Sequence, residues 1–212
     1  MAFDIGGVLL EWDPDLVYRE LVPDPTERAW FLSAVCTPEW NATLDAGRPF
    51  DEACDELAAR HPGHADLVHA WKRQDDMIGG EIAGTVELVA RLRDAGVPLY
   101  LLTNMPAPVF AARRERYPVL RQFQGAVVSG EEGVLKPSPE IFARLRDRYG
   151  LDPAQTLFVD DAEVNVGGAR AVGFQAHRFV DPPSLAVALR SHGLLGPLNP
   201  IADVKIRRSG GW

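Results

Sequence analysis

From about residue 80 onward the chain repeats one unit: apolar residues at helical spacing, then a short apolar run that ends in a polar tip. Helical spacing over 85–95 stops at Gly96, and the apolar run 98–102 leads into Thr103 and Asn104. The unit recurs over 109–116 and 125–128, over 139–149 and 156–159, and over 164–172 and 175–179, before a last helical pattern at 184–191. Parallel strands need crossovers long enough to hold a helix, so this alternation predicts an α/β fold, a Rossmann-like parallel sheet flanked by helices. In such a sheet the strand tips share one rim, and ligands bind there.

The first ten residues supply one further tip. Asp4 follows only three residues and precedes Ile5, Gly6, Gly7 and Val8, which places a carboxylate where a short strand enters a double-glycine turn. A very short first strand is expected, and whether Met1 is the native start stays open. Between residues 12 and 80 the pattern is helical, over 15–21, 25–35, 50–60 and 65–78, with Asp24 before Pro25 as a helix-start signal. This reads as an inserted all-helical cap at 12–80, with 1–11 and 81–196 forming the core. The connections are expected at 11–13 and 77–80, with Gly79 and Gly80 allowing motion. Trp12, Trp30, Trp40 and Trp71 are expected to pack inside the insertion. Beyond Gly196 the pattern dissolves, and 197–212 is expected to be disordered.

Composition removes several function classes. A net charge of -8 and a pI near 5.1 leave no general basic face for nucleic acid or an anionic membrane. Cys36 and Cys54 stand far apart without a C-x-x-C pattern, which suggests neither a disulfide framework nor a zinc site. With no leader pattern and no run long enough to span a bilayer, a cytoplasmic protein is expected. His61, His64 and His69 with Asp66 surround a Pro-Gly turn and read as loop surface. Arg113, Arg114 and Arg116, with Glu115 among them, read as a solvated helix face. Asp45 acquires no role from the sequence.

The tips are chemically complementary. Asp4 can be a nucleophile, Thr103 and the amide of Asn104 can donate hydrogen bonds to phosphate oxygens, Lys136 brings positive charge, and Asp160 with Asp161 suits a hard cation. In chain order the segments FDIGGVLLEW, LYLLTNM, GVLKPSPEIF and LFVDDAEVNVGGARAVGF resemble the four signature motifs of the haloacid dehalogenase-like hydrolase superfamily. The resemblance extends to the branch with a helical cap, and within it to phosphatases related to α-D-glucose-1-phosphatase and to the amino-terminal domain of soluble epoxide hydrolase. It implies a phosphatase in which Asp4 becomes a phosphoaspartate, Thr103, Asn104 and Lys136 hold the phosphoryl group, and Asp4, the carbonyl of Gly6, Asp160 and Asp161 hold Mg²⁺.

One position departs from that pattern. Most phosphatases of the superfamily carry an acid-base aspartate two residues after the nucleophile, and this chain has Gly6. General acid help is worth about 10²- to 10⁴-fold, most for a poor leaving group. The expected substrate is therefore a small phosphorylated metabolite with an activated leaving group, such as a sugar 1-phosphate. Two other readings stay open: a 2-haloacid dehalogenase, in which halide departs without a proton, and a non-catalytic binding or regulatory protein that retains the fold.

Overall fold

The computed structural model describes residues 1–196. Five strands form one sheet: β1 (Ala2–Phe3) at its centre, β4 (Tyr100–Thr103) and β5 (Gly125–Val128) on one side, and β6 (Leu157–Asp160) and β7 (Gln175–Arg178) on the other. Every neighbouring pair is parallel, as the helix-strand alternation predicts. The order β5-β4-β1-β6-β7 makes β1 the place where the winding reverses, so the rim beside it is the crevice of a doubly wound sheet.

Period-two alternation divides the apolar side chains between two layers. Phe3, Leu101 and Val159 face α6 (Ala83–Asp94) and α11 (Pro182–Ser191), where Leu88, Leu92, Leu185 and Leu189 are fully buried. Ala2, Leu102, Val127 and Phe158 face α9 (Pro139–Tyr149) and α10 (Glu163–Ala171), against Ile141, Phe142, Leu145 and Ala169. Each large side chain taken out of water here contributes about 1.5–3 kcal/mol, so even the two-residue β1 is held firmly. Main-chain bonds extend its pairing at both ends, from Tyr100 N to Met1 O and from Asp4 N to Val159 O, each 2.9 Å.

Between β2 (Leu10–Trp12) and β3 (Ile78–Glu81) lie five helices: α1 (Asp15–Leu21), α2 (Pro25–Ala34), α3 (Pro38–Asp45), α4 (Phe50–Arg60) and α5 (Ala65–Ala70). They have an apolar cluster of their own, built on Tyr18, Phe31, Trp40, Leu44, Leu57, Trp71 and Met77. The Asp24 start signal is observed as read: its side chain accepts from the main-chain N–H groups of Thr26 and Glu27. β2 and β3 pair antiparallel as a ribbon, with a register shift between Glu11 and Trp12.

Three local expectations need correction. The helix read over 65–78 ends at Ala70, where the main-chain N–H groups of Trp71, Lys72 and Arg73 switch to three-residue turns onto Val68, His69 and Ala70, and Ile78 joins β3 opposite Trp12. The helix α3 was not anticipated, although Thr37 caps it by accepting from Trp40 N and Pro38 stands at its first position. Of the four tryptophans only Trp40 and Trp71 are buried. Trp30 is 46% exposed, whereas Trp12, partly exposed at the edge of a cleft, packs against the segment's apolar cluster as expected. The disorder expected at 197–212 lies outside the described residues.

Candidate active site

The carboxyl ends of β1, β4 and β6 bring Asp4, Thr103 and Asp160 to one rim. Asp4 leaves the sheet into a tight turn in which Leu9 N reaches Ile5 O at 2.8 Å and Gly7 N reaches Leu10 O at 2.9 Å. Gly7 has φ +70°, and a Cβ there would collide with the Asp161 carboxylate, so glycine is what permits Asp161 to close on the turn. Gly6 is different. A Cβ there would meet nothing nearer than Trp12 Cβ at 3.7 Å, so what its glycine lacks is a functional group and not space.

Lys136 is the hub of the rim. Its buried ammonium lies 2.9 Å from Asp4 Oδ1 and 2.7 Å from Asp160 Oδ2. Asn104 fixes its main chain from both sides, with Asn104 Nδ2 donating to Lys136 O at 3.1 Å and Lys136 N donating to Asn104 Oδ1 at 2.8 Å. The amide expected to face a phosphate is thus largely engaged in holding the lysine loop. Asp160 is fully buried and hydrogen-bonded through both oxygens: its Oδ1 accepts from Ala162 N and Asn165 Nδ2, and its Oδ2 accepts from Lys136. Asn165 is a supporting residue that the sequence reading missed.

One ammonium faces three carboxylates. Burial, with Asp160 nearby, pushes the Asp4 carboxyl up to about 7 although Lys136 pulls the other way. Burial beside Asp160 also raises Asp161. Burial alone would lower Lys136, but Asp4 and Asp160 together hold it above the ordinary lysine value. Oxygens of Asp4, Asp160 and Asp161 lie within 4.8 Å of one another, a set of hard donors with an excess of negative charge.

Above this rim opens a cleft of about 230 Å³. One wall is Asp4, Gly6, Gly7, Thr103, Asn104 and Asp161, and Trp12, Asn41, Asp45, Gln74 and Arg113 face it. Arg113 corrects the expectation of a solvated arginine face. It is 4% exposed, donates to Gln74 O at 3.0 Å and lies over the Trp12 ring at 5.1 Å, whereas Arg114 and Arg116 are exposed as expected. On α7 (Ala107–Arg116) it shares the inward face with Phe110, three residues earlier, a periodicity that mixed charge concealed.

The chain resembles known proteins across this same arrangement. It is 29% identical over 195 residues to a sesquiterpene phosphatase of Aspergillus oryzae, covering 92% of this chain and 95% of that one. It is 30% identical over 116 residues to the phosphoglycolate phosphatase of Escherichia coli, covering 51% of this chain and 46% of that one. A haloacid dehalogenase family enzyme of Bacteroides thetaiotaomicron, solved with magnesium and inorganic phosphate, shares the fold at a TM-score of 0.61 and 21% identity, over 84% of this chain and 91% of that one. The family of haloacid dehalogenase-like hydrolases matches residues 1–173, a span that includes Asp4, Thr103, Lys136, Asp160 and Asp161, and the chain belongs to that family.

Proposed function

We propose that this hydrolase is a Mg²⁺-dependent phosphomonoesterase that works through an aspartyl-phosphate on Asp4, with a small phosphorylated metabolite as substrate. The observation that carries the reading is Lys136 spanning Asp4 and Asp160 at 2.9 and 2.7 Å, with Asp161 beside them. A lone buried nucleophile would not need two further carboxylates. Asp4, Asp160 and Asp161, together with the carbonyl of Gly6, suit magnesium, the cation with which the Bacteroides thetaiotaomicron enzyme of the same fold was solved. Bound magnesium supplies positive charge against the phosphoryl oxygens, which lets two anions meet.

The chain's own residues do the rest. Asp4 attacks phosphorus, the bond from phosphorus to the leaving oxygen breaks, and Thr103 and Lys136 hold the transferred oxygens. Water then attacks the phosphoaspartate, and its bond to Asp4 breaks to release phosphate. The helical segment 12–80 acts as a cap that closes the cleft and limits water, with the β2-β3 ribbon as its connection to the core. Both relatives are named for phosphatase activity, and the cleft's volume fits a small leaving group. A sugar 1-phosphate is the substrate that Gly6 by itself favours, since an anomeric oxygen leaves more readily than an alkoxide.

The test is phosphate release from sugar 1-phosphates, sugar 6-phosphates, phosphoglycolate and an aryl phosphate, with Mg²⁺ or with EDTA. Release should require Mg²⁺ and fall at least about 10³-fold in Asp4→Asn. Metal-independent turnover of a 2-haloacid would replace this reading with dehalogenation. Turnover of neither class would leave the non-catalytic alternative.

A further inference from the structure

The phosphatase reading leaves one proton without a donor. Gly6 cannot supply it, Asp4 is the nucleophile, and Asp161 belongs to the cation's set. Of the carboxyl groups that line the cleft among the described residues, Asp45 then remains. It comes from the opposite wall, at the end of α3, far from every signature segment in sequence.

Asp45 is tied to the core through its backbone and braced through its side chain. Its carbonyl accepts from Ser129 Oγ at 2.6 Å, and the same hydroxyl accepts from Met105 N at 2.9 Å, two residues beyond Thr103. A single core hydroxyl thus ties the backbone of Asp45 to the β4 tip that faces the phosphoryl group. The carboxyl is oriented as well. Trp71 Nε1, which can only donate, gives its hydrogen to Asn41 Oδ1 at 2.9 Å, and this fixes which end of the Asn41 amide points the other way. Asn41 Nδ2 therefore donates to Asp45 Oδ2 at 3.0 Å, leaving Oδ1 as the oxygen that can carry a proton.

We propose that Asp45 is the acid-base residue of this enzyme, delivered from the helical segment in place of the aspartate that Gly6 replaces. The proposal rests on the phosphatase reading. In the first step Asp4 forms its bond to phosphorus, the bond to the leaving oxygen breaks, and Asp45 transfers its proton to that oxygen. In the second, the Asp45 carboxylate takes a proton from water as the water oxygen bonds to phosphorus and the bond to Asp4 breaks, which restores the acid. The charged groups facing Asp45 are Arg113 from α7, Asp4 at the end of β1 and Lys136 from the loop before α9. Burial, with Asp4, outweighs Arg113 and Lys136 and sets the carboxyl up to about 7, near the value a proton shuttle needs.

The discriminating experiment compares Asp45→Asn with the intact protein on an alkyl phosphate and on p-nitrophenyl phosphate, whose leaving group needs no proton. In kcat/KM, which reports the step that expels the leaving group and not the hydrolysis step shared by both esters, Asp45→Asn should lose about 10²- to 10⁴-fold on the alkyl ester and less than about fivefold on the aryl ester. A second variant keeps the carboxyl in place. Asn41→Leu removes the hydrogen bond that favours the charged form, so the alkaline limb of the alkyl pH-rate profile should move to higher pH. Equal losses of kcat/KM on both esters, an unchanged alkyl kcat/KM, or an unmoved limb in Asn41→Leu would overturn the assignment while leaving an Asp4-dependent phosphatase intact. Failure of the intact protein to release phosphate from either ester would overturn both readings at once.

Discussion

The two walls of the cleft are built by different rules. On the sheet side, Asp4, Lys136, Asp160, Asn104 and Asn165 form one hydrogen-bonded unit in which Lys136 and Asp160 have almost no exposed surface, and Asp4 and Asp160 stand at the ends of β1 and β6. On the helical side, Asn41, Asp45 and Gln74 hang from a separate apolar cluster and meet the core through Ser129 and Arg113. The first wall is rigid because an unpaired charge in it would be costly. The second is joined to the first by the Ser129 hydroxyl and the Arg113 guanidinium, side-chain bonds that leave the sheet-side network to stand on its own.

The largest expected effect lies on the rigid wall. Lys136→Met leaves Asp4 and Asp160 buried without their common cation and should cost about 3–5 kcal/mol in urea unfolding, besides abolishing turnover. A cost below about 1 kcal/mol would show that the rim is looser than its geometry. An intermediate effect is expected at the joint. Ser129→Ala removes the hydroxyl that links Met105 N and Asp45 O and should cost about 1–3 kcal/mol, with a larger fall in kcat than any rise in KM. Full stability with normal kcat would separate Asp45's placement from this joint.

The smallest expected effect concerns pH. The Asp45 carboxyl rises from its ordinary 3.8 to about 7 in the fold, so between these values the folded protein keeps a proton that the unfolded chain has released. Stability from this group is complete below about pH 4 and is lost as pH rises through about 7. Asp45→Asn removes that loss. Relative to the intact protein it should gain about 1–2 kcal/mol between pH 5 and pH 8, a figure reduced from the full linkage value because the side chain is only partly withdrawn from water. No change in the difference between the two pH values would place Asp45 in a more solvated setting than its surroundings indicate.

The sheet and its rim were legible because each depends on local pattern. Period-two apolar runs with helical spacers allow little but a parallel sheet, and a parallel sheet sends its polar tips to one edge. That is why Asp4, Thr103, Lys136, Asp160 and Asp161 could be named before any contact was known. Asn165 and the bracing role of Asn104 were not legible, since a side-chain amide has no sequence signal for which main chain it will hold. The helix α3 was legible in its Thr37-Pro38 start and went unread, whereas the end of α5 required knowledge that residues 78–81 pair with 10–12.

The sequence by itself determined a parallel, Rossmann-like α/β core, a helical segment between the first two core strands, and the polar groups gathered at its rim, because backbone periodicity and strand polarity are local properties. Only the tertiary structure decided that Arg113 turns inward while its neighbours stay in solvent, and that Asp45 and Asn41 close the cleft over Asp4. Those placements follow from the docking of two separately packed apolar clusters, and the contacts across such a joint depend on the shapes of both partners, which no single stretch of residues encodes.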